Sequence, residues 1–329
     1  MTYLDSFGRP INYLRVSVTD RCNLRCIYCM PPEGIQQKDM SEILKFEEIE
    51  AIVRAAAELG VSKVRLTGGE PLVRLGIVKL VALLARVPGI DDLSMTTNGM
   101  LLADKAVALA DAGLNRVNIS LDSLIPERFT KLTRRGTLGD VLRGIEAARA
   151  AGLTPVKINM VVIRGLNDDE IVTFAQMSRD RGWHIRYIEM MPLGANLQWQ
   201  GDGIVSIQEI KETITRSLGP LTPCSMDKGN GPARYFKTEG SGEGTIGFIS
   251  PVTEHFCNEC NRLRLTADGR LRPCLLSEIE LDLRSILRSD ADPEAIQALL
   301  KEAIQLKPLR HRLHEHISPH GRTMSQIGG

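Results

Sequence analysis

An excess of charge of one sign is the first thing this sequence lacks: 41 Lys and Arg stand against 40 Asp and Glu in 329 residues. No global basic field therefore argues for nucleic acid or an anionic membrane, and any anion site must be local. Long apolar runs are missing too. No stretch approaches the length of a membrane span, and the opening MTYLDSFGRPINYL has nothing like the apolar core of a signal peptide. A cytoplasmic protein is expected, with neither nucleic acid nor membrane among its partners. There is no low-complexity block, and 43% apolar residues suffice for the core of one large domain or of a domain with an appendage. Cysteine does not come in pairs. Seven thiols with clustered spacings, in a reducing compartment, favour metal or redox chemistry over disulfides.

What is present, from residue 12 to about 190, is a repeated unit of strand, special loop and amphipathic helix. Strands are expected at 13–19, 63–67, 92–97, 116–122, 156–162 and 184–189, with helices around 46–59, 76–88, 100–112, 138–151 and 168–181. Phe46, Ile49, Ile52, Val53, Ala56 and Leu59 recur at helical spacing, and Gly60 follows as a stop. Gly113, Gly152 and Gly182 end later helices in the same way. Six such units predict a parallel sheet with right-handed crossovers, either barrel or doubly wound.

The strands decide between the two. Leu14, Val16 and Val18 alternate with Arg15, Ser17 and Thr19, and Val64 and Leu66 with Lys63, Arg65 and Thr67. Val117, Ile119 and Leu121 alternate with Arg116, Asn118, Ser120 and Asp122, and Ile158 and Met160 with Lys157 and Asn159. Each strand thus has one apolar and one polar face. Apolar faces must meet the helices, so polar faces converge inside, which suits a partial barrel around a large polar ligand. The expected class is α/β: a partial (β/α)6 TIM-like barrel over 1–222, and a smaller α+β region over 223–329 that closes the barrel mouth. In the latter, β-like pieces are expected at 233–237 and 245–249 and helices around 278–288 and 293–305.

Chemistry in such barrels gathers at the C-terminal ends of strands. There lie Cys22, Cys26 and Cys29, then Gly68-Gly69-Glu70-Pro71, Thr96-Thr97-Asn98-Gly99, Ser120-Leu121-Asp122, and Ile188 to Pro192. Singly, GGEP reads as a turn, TNG as a helix entry and SLD as a strand end with an N-cap. Three thiolates are one short of the four that close a structural zinc or iron–sulfur site, although a distant fourth ligand could complete a zinc site. A second triplet, Cys257, Cys260 and Cys274, could be a zinc ribbon with His255 as fourth ligand. Between its members, Arg262 and Arg264 share one strand face and call for an anion or acidic partners. With Arg15, Lys63, Arg65, Lys157 and Arg186 on barrel strands, they suggest a polyanionic substrate such as a nucleoside triphosphate. The alternative is ion pairing with Glu70, Asp122 or Glu189.

The run DRCNLRCIYCMP resembles the CxxxCxxC signature of radical S-adenosylmethionine (SAM) enzymes, whose three thiolates hold a [4Fe–4S] cluster chelated at its fourth iron by SAM. GGEP resembles the turn whose backbone meets the SAM amino group. Both triplets together, with NRLRL after the second pair, resemble the GTP 3′,8-cyclase (MoaA) family of molybdenum cofactor biosynthesis, over almost the whole chain from DRCNLRCIYCMPP through KVRLTGGEPLVR, TTNG, NISLDSL, IRYIEMMPLG and FCNECNRLRLTADGRLRPCL to the terminal GG.

The resemblance implies a [4Fe–4S] cluster on Cys22, Cys26 and Cys29, a second on Cys257, Cys260 and Cys274 whose open iron meets the guanine of GTP, and SAM lined by Tyr28, Gly69, Ser120 and Met191. It implies GTP contacts from Arg15, Arg65, Thr96, Lys157, Arg262, Leu263 and Arg264, and catalytic roles for Arg262, Arg264 and the tail residues Gly328 and Gly329, otherwise a frayed terminus. Periodicity alone does not separate Met190 from Met191 or Thr96 from Thr97. The implied reaction removes hydrogen from ribose C3′ with a deoxyadenosyl radical, joins C3′ to C8, and ends in reduction to 3′,8-cyclo-7,8-dihydro-GTP. The product would pass to a cyclic pyranopterin monophosphate synthase. Rival readings are a twin-cluster radical SAM enzyme acting on a peptide, and a zinc-bearing nucleotide-binding module without catalysis. Cys224 fits neither triplet and reads as an ordinary cysteine; a homodimer is neither required nor excluded.

Overall fold

The computed structural model describes residues 2–191, 203–226, 231–289, 293–311 and 322–328. In chain order the first half holds β1 (Tyr13–Ser17), α1 (Phe46–Glu58), β2 (Lys63–Thr67), α2 (Ile77–Leu84), β3 (Asp92–Thr97), α3 (Ala106–Asp111), β4 (Arg116–Ser120), α4 (Pro126–Thr133), α5 (Leu138–Ala150), β5 (Lys157–Val162), α6 (Ile171–Asp180) and β6 (His184–Glu189). Then come α7 (Ile207–Leu218), β7 (Thr222–Cys224), β8 (Arg234–Lys237), β9 (Thr245–Ile249), β10 (Arg262–Leu265), β11 (Arg270–Arg272), β12 (Leu281–Asp282), α8 (Leu283–Leu287), α9 (Pro293–Gln305) and α10 (Met324–Ile327).

All twelve strands belong to one sheet, ordered β12-β11-β10-β1-β2-β3-β4-β5-β6-β9-β8-β7. From β10 through β1 to β6 and on to β9, every neighbouring pair is parallel. The result is a partial barrel that does not close. Antiparallel β11–β12 and β8–β7 extend its two edges.

The alternating faces land as the periodicity predicts. Leu14, Val64, Val117, Ile158, Ile185, Ile246 and Leu263 are buried in the core with α1, α2, α5 and α6. On the other face Arg15 lies opposite both Arg264 and Arg65, Arg65 opposite Ser94, and Ser94 opposite Arg116. A second row joins Thr96, Asn118, Lys157, His184 and Thr245, and a third joins Ser120, Asn159, Arg186 and Gly247.

Helix α1 illustrates the local causes. Ile49, Ile52, Val53, Ala55 and Ala56 form its buried stripe, the Glu48 carboxylate accepts from Lys45 N, and Gly60 turns away at φ +93°. Three helices, α4, α7 and the four-residue α10, have no counterpart among the expected elements. Helix α4 ends at Arg134, itself left-handed at φ 58°, so no glycine marks its stop. Helix α7 carries legible signals, Ser206 capping Glu209 N and Gly219 after its end, but lies beyond the six units. Strands β1 and β4 also end two residues earlier than expected, because Thr19 and Asp122 already serve the loops above the sheet. Helix α3 begins only at Ala106, with turns over 100–105. Among the described residues no helix is long and apolar enough to cross a membrane.

The chamber rim is tied down by carboxylates. Glu189, at the end of β6, accepts from Ile207 N (3.0 Å), Ser250 Oγ (2.8 Å), Val252 N and Thr253 N (3.1 Å each) and Thr253 Oγ1. One buried side chain thus fixes both the start of α7 and the loop leading to Cys257.

Candidate functional site

The loop after β1 carries the first triplet. Main-chain bonds from Arg25 N to Thr133 O and from Ile27 N to Leu132 O (2.9 Å each) pin it to the end of α4, and Cys29 N and Met30 N both donate to Cys26 O. Beside it runs the Gly-Gly-Glu-Pro segment, with Gly69 N on Thr19 O at 2.7 Å and Glu70 N on Arg21 O at 2.8 Å. A Cβ on Gly69 would lie 2.3 Å from Arg21 O, so only glycine permits the approach. The Glu70 carboxylate takes Thr97 Oγ1 (2.7 Å), Asn98 N (2.7 Å) and Leu72 N (3.0 Å), while burial pushes its pKa up to about 7. Asp122 binds the Tyr28 hydroxyl and Val161 N, and burial raises it to about 6.

Burial pushes the thiols of Cys22 and Cys29 up to about 11 and about 12, and Cys26 well upward, with the neighbouring cysteines adding to the rise in Cys26 and Cys29. Such thiols give up their protons readily only to a metal, whose positive charge offsets both burial and mutual repulsion.

The second triplet sits across the mouth. Cys257 opens a short 3-10 turn, with Cys260 N donating to its carbonyl at 3.1 Å, and Cys274 follows β11. Burial raises Cys257. Burial also acts to raise Cys260, but Lys307 and Arg262 outweigh it and bring that thiol down to about 7.

Both triplets line one cavity of about 360 Å³, with Arg15, Arg65, Arg186, Arg262 and Arg264 on its walls. Among the described residues no three His, Cys, Asp or Glu side chains converge as ligands of a single metal ion would. His255 also lines the cavity, its ring packed edge-on against His311 at 5.6 Å.

The cations are desolvated and crowd one another. Burial lowers Arg65 and Arg264 to about 10 and Lys157 to about 6, with neighbouring arginines adding to each, and Arg15 falls well below its usual range for the same reasons. The expected ion pairs with Glu70, Asp122 and Glu189 are not found among the described residues, because those carboxylates are spent on main-chain N–H and hydroxyl donors. Arg116, at the base, is paired with Asp92. Buried polar atoms on this inner face lack partners among the described residues: Tyr13 OH, Thr96 Oγ1, Asn159 Oδ1, Arg186 Nε and Arg262 Nε. Such atoms are costly unless a ligand or water meets them.

Residue by residue, Tyr28, Gly69, Ser120, Met191, Arg15, Arg65, Thr96, Arg262, Arg264 and all six clustered cysteines line the cavity. Met190 lines it too. Thr97 is occupied by Glu70 and Gly99 N, whereas Thr96 Oγ1 has no partner among the described residues, so the neighbouring threonines differ in what they leave for a ligand. Lys157 is buried below the cavity wall, stacked on Tyr235 at 5.6 Å. The side chain of Leu263 packs in the core opposite Leu14, which leaves its main chain to face a ligand. Gly328 adopts φ +69° against Thr67 and Ser17, with its carbonyl held by Arg264 at 2.7 Å. Gly329 lies outside the described residues. Tyr13 and Asn159 line the cavity although no motif marks them, and the period of two already turns both inward.

Comparisons with known proteins agree with this geometry. Residues 16–177 match the Radical SAM superfamily, and residues 183–313 match the family described as Molybdenum Cofactor Synthesis C. A GTP 3′,8-cyclase of Pelotomaculum thermopropionicum is 52% identical over 325 residues, covering 99% of each chain. Those of Moorella thermoacetica (51%, 99% of each chain) and Syntrophomonas wolfei (50%, 99% of this chain and all of the relative) are similar to the same extent. Among solved structures, Streptococcus suis SuiB bound to precursor peptide SuiA superposes with a TM-score of 0.62 at 15% identity, covering 92% of this chain and 67% of that one, a likeness of fold alone.

Proposed function

The chain belongs to the GTP 3′,8-cyclase family of radical SAM proteins, and from that premise we propose that it converts GTP to 3′,8-cyclo-7,8-dihydro-GTP for molybdenum cofactor biosynthesis. The observation carrying this reading is that two thiolate triplets and five arginines share one cavity. Residues 1–222 form the radical SAM partial barrel, and residues 223–329 form the region that carries the second cluster and the tail. Cys22, Cys26 and Cys29 hold one [4Fe–4S] cluster, and Cys257, Cys260 and Cys274 hold the other. When bound, these groups supply the electron that cleaves SAM and an open iron for the guanine.

The rest falls to the protein's own residues. Tyr28, Gly69, Ser120 and Met191 seat SAM. Arg15, Arg65, Thr96, Lys157, Arg262, Arg264 and the main chain of Leu263 hold GTP, with its triphosphate on the cations. The task is positional: the ribose must be presented to the first triplet and the purine to the second, with water and stray hydrogen donors kept out. Gly328, whose carbonyl Arg264 holds, closes part of that space. The product then passes to a cyclic pyranopterin monophosphate synthase. A peptide substrate is disfavoured by the crowd of inward cations, which suits phosphate oxygens.

Reduced protein given SAM and GTP without oxygen is expected to release deoxyadenosine and a cyclised nucleotide together. Deoxyadenosine forming at one slow rate with and without GTP would sink the assignment.

A pH dependence follows from Lys157. Without ligand its pKa is about 6, so the amine is mostly neutral at pH 7. A bound phosphate favours the ammonium and raises that pKa, so binding takes up a proton and affinity falls as pH rises above about 6. The slope is at most about tenfold per pH unit, up to the pKa of the liganded lysine. Equilibrium binding of GTP measured from pH 7 to 9, where the terminal phosphate is already ionised, should show this decline. Lys157→Met should bind more weakly at pH 7 and flatten the profile.

A further inference from the structure

The segment that follows α9 plays no part in the assignment above, yet it grips the second triplet. Lys307 is 3% exposed and lines the cavity. Its ammonium donates to Arg262 O at 2.7 Å and to Pro273 O at 2.8 Å, and its charge acts on the neighbouring Cys260 thiol. An ammonium has three donors, and here two of them are spent on carbonyls of residues that bracket the triplet. Pro273 directly precedes Cys274, and Arg262 follows Cys260 by two residues. Four residues on, the His311 ring meets Pro251 O at 2.8 Å and packs edge-on against His255, two residues before Cys257. Arg9 closes the same clasp: its guanidinium bonds Cys257 O (2.7 Å), Leu309 O (3.0 Å), Pro308 O (2.8 Å) and the Asp5 carboxylate (2.6 Å).

The charges of these two buried cations are met differently. Arg9 is balanced by Asp5. Lys307 has no carboxylate partner among the described residues, and its positive charge acts on the Cys260 thiol. A buried ammonium without a counter-charge is strongly unfavourable. A structural lysine whose only task was to tie two carbonyls could be replaced by a neutral donor. An ammonium held against a cluster ligand additionally stabilises the more negative, reduced state of whatever that ligand carries.

We infer that Lys307 is a positioning residue for the second triplet, which fixes the Cys260 and Cys274 arms relative to Arg262 and holds a positive charge against the substrate-side cluster. The inference rests on the two-cluster reading. Its consequence is that this cluster is easier to reduce than its three thiolates alone would make it, which suits a centre taking part in the reductive end of the reaction.

The test is a spectroscopically followed redox titration of the fully loaded protein with GTP present and SAM absent, in native, Lys307→Met and Lys307→Arg forms, with iron counted in each. The component whose signal responds to GTP reports the second cluster. In Lys307→Met, its reduced-to-oxidised ratio at fixed potential is expected to fall at least about tenfold, or about 59 mV for a one-electron couple. Lys307→Arg should stay close to native, and the component that ignores GTP should not move. Should Lys307→Met load only about four irons, Lys307→Arg keeping about eight supports the inference and Lys307→Arg also losing half overturns it. Native-like titration of Lys307→Met, or a common shift of both components, overturns it as well. A native protein that itself loads only about four irons overturns the two-cluster reading and this inference together, which separates the two kinds of failure.

Discussion

Replacing Cys26 with alanine is expected to lower deoxyadenosine formation to below about one-thousandth of native, because the lost ligand belongs to the group that delivers the electron and acts as a unit with its neighbours. Iron should drop from about eight to about four per chain, leaving the substrate-side centre intact. The fold should survive. Cys26 is partly accessible at the cavity wall, and the loop around it is held by main-chain bonds to Leu132 and Thr133 that the substitution does not touch. GTP should still bind, since the cations it needs lie on β1, β2, β5 and β10. The check is anaerobic iron analysis beside a nucleoside assay and GTP binding. A Cys26→Ala protein that still cleaves SAM at a tenth of the native rate would remove Cys22, Cys26 and Cys29 from the centre of the mechanism.

The second large effect concerns the tail. Gly328 has φ +69°, and a Cβ there would stand 2.8 Å from Thr67 Cγ2 and 3.3 Å from Ser17 Cβ. Valine cannot take that position without moving the segment, and with it the carbonyl held by Arg264. Gly328→Val is therefore expected to reduce cyclised product by about a hundredfold, the cost of a displacement near 1 Å at a reacting centre. Cluster content and melting temperature should remain near native, because α10 is anchored independently: Arg322 reaches both Asp268 oxygens at 3.0 Å and Glu280. Deoxyadenosine should continue to form, uncoupled from product. Removing Gly328 and Gly329 together should act in the same direction and at least as strongly. The ratio of product to deoxyadenosine is the quantity to measure; an unchanged ratio would return the tail to a structural role.

How much of the site is legible in the chain depends on the distance over which each feature acts. The two triplets are local patterns, and the inward cations follow from a period of two within single strands, so the residue pattern alone places Arg15, Arg65 and Lys157 on the inner face, and Arg262 and Arg264 on one shared face. Leu263 shows the limit of carrying a contact over by position: the same period sends its side chain to the core. The acids mislead for another reason. Glu70, Asp122 and Glu189 look like counter-ions when only charge is counted, but loops above a parallel sheet leave main-chain N–H groups that need acceptors, and the acids meet that need. Helix α4 escapes notice because Arg134 stands where a glycine stop would be. The link of Lys307 and Arg9 to the second triplet carries no signal at all, since Arg262 O and Cys257 O lie 45 and 248 residues away along the chain.

Strand β1 bonds to β2 on one side and to β10 on the other, where Tyr13 faces Arg262. The second neighbour comes about 250 residues later, a separation that makes folding slow and leaves an unfinished edge exposed meanwhile. During synthesis the cradle for SAM can therefore exist long before the strand that completes it, with its row of guanidiniums open to solvent. Biogenesis of this protein has a timetable: growth at reduced temperature should favour recovery of correctly assembled molecules, and metal loading attempted on nascent fragments should find only the first of the two sulfur sets.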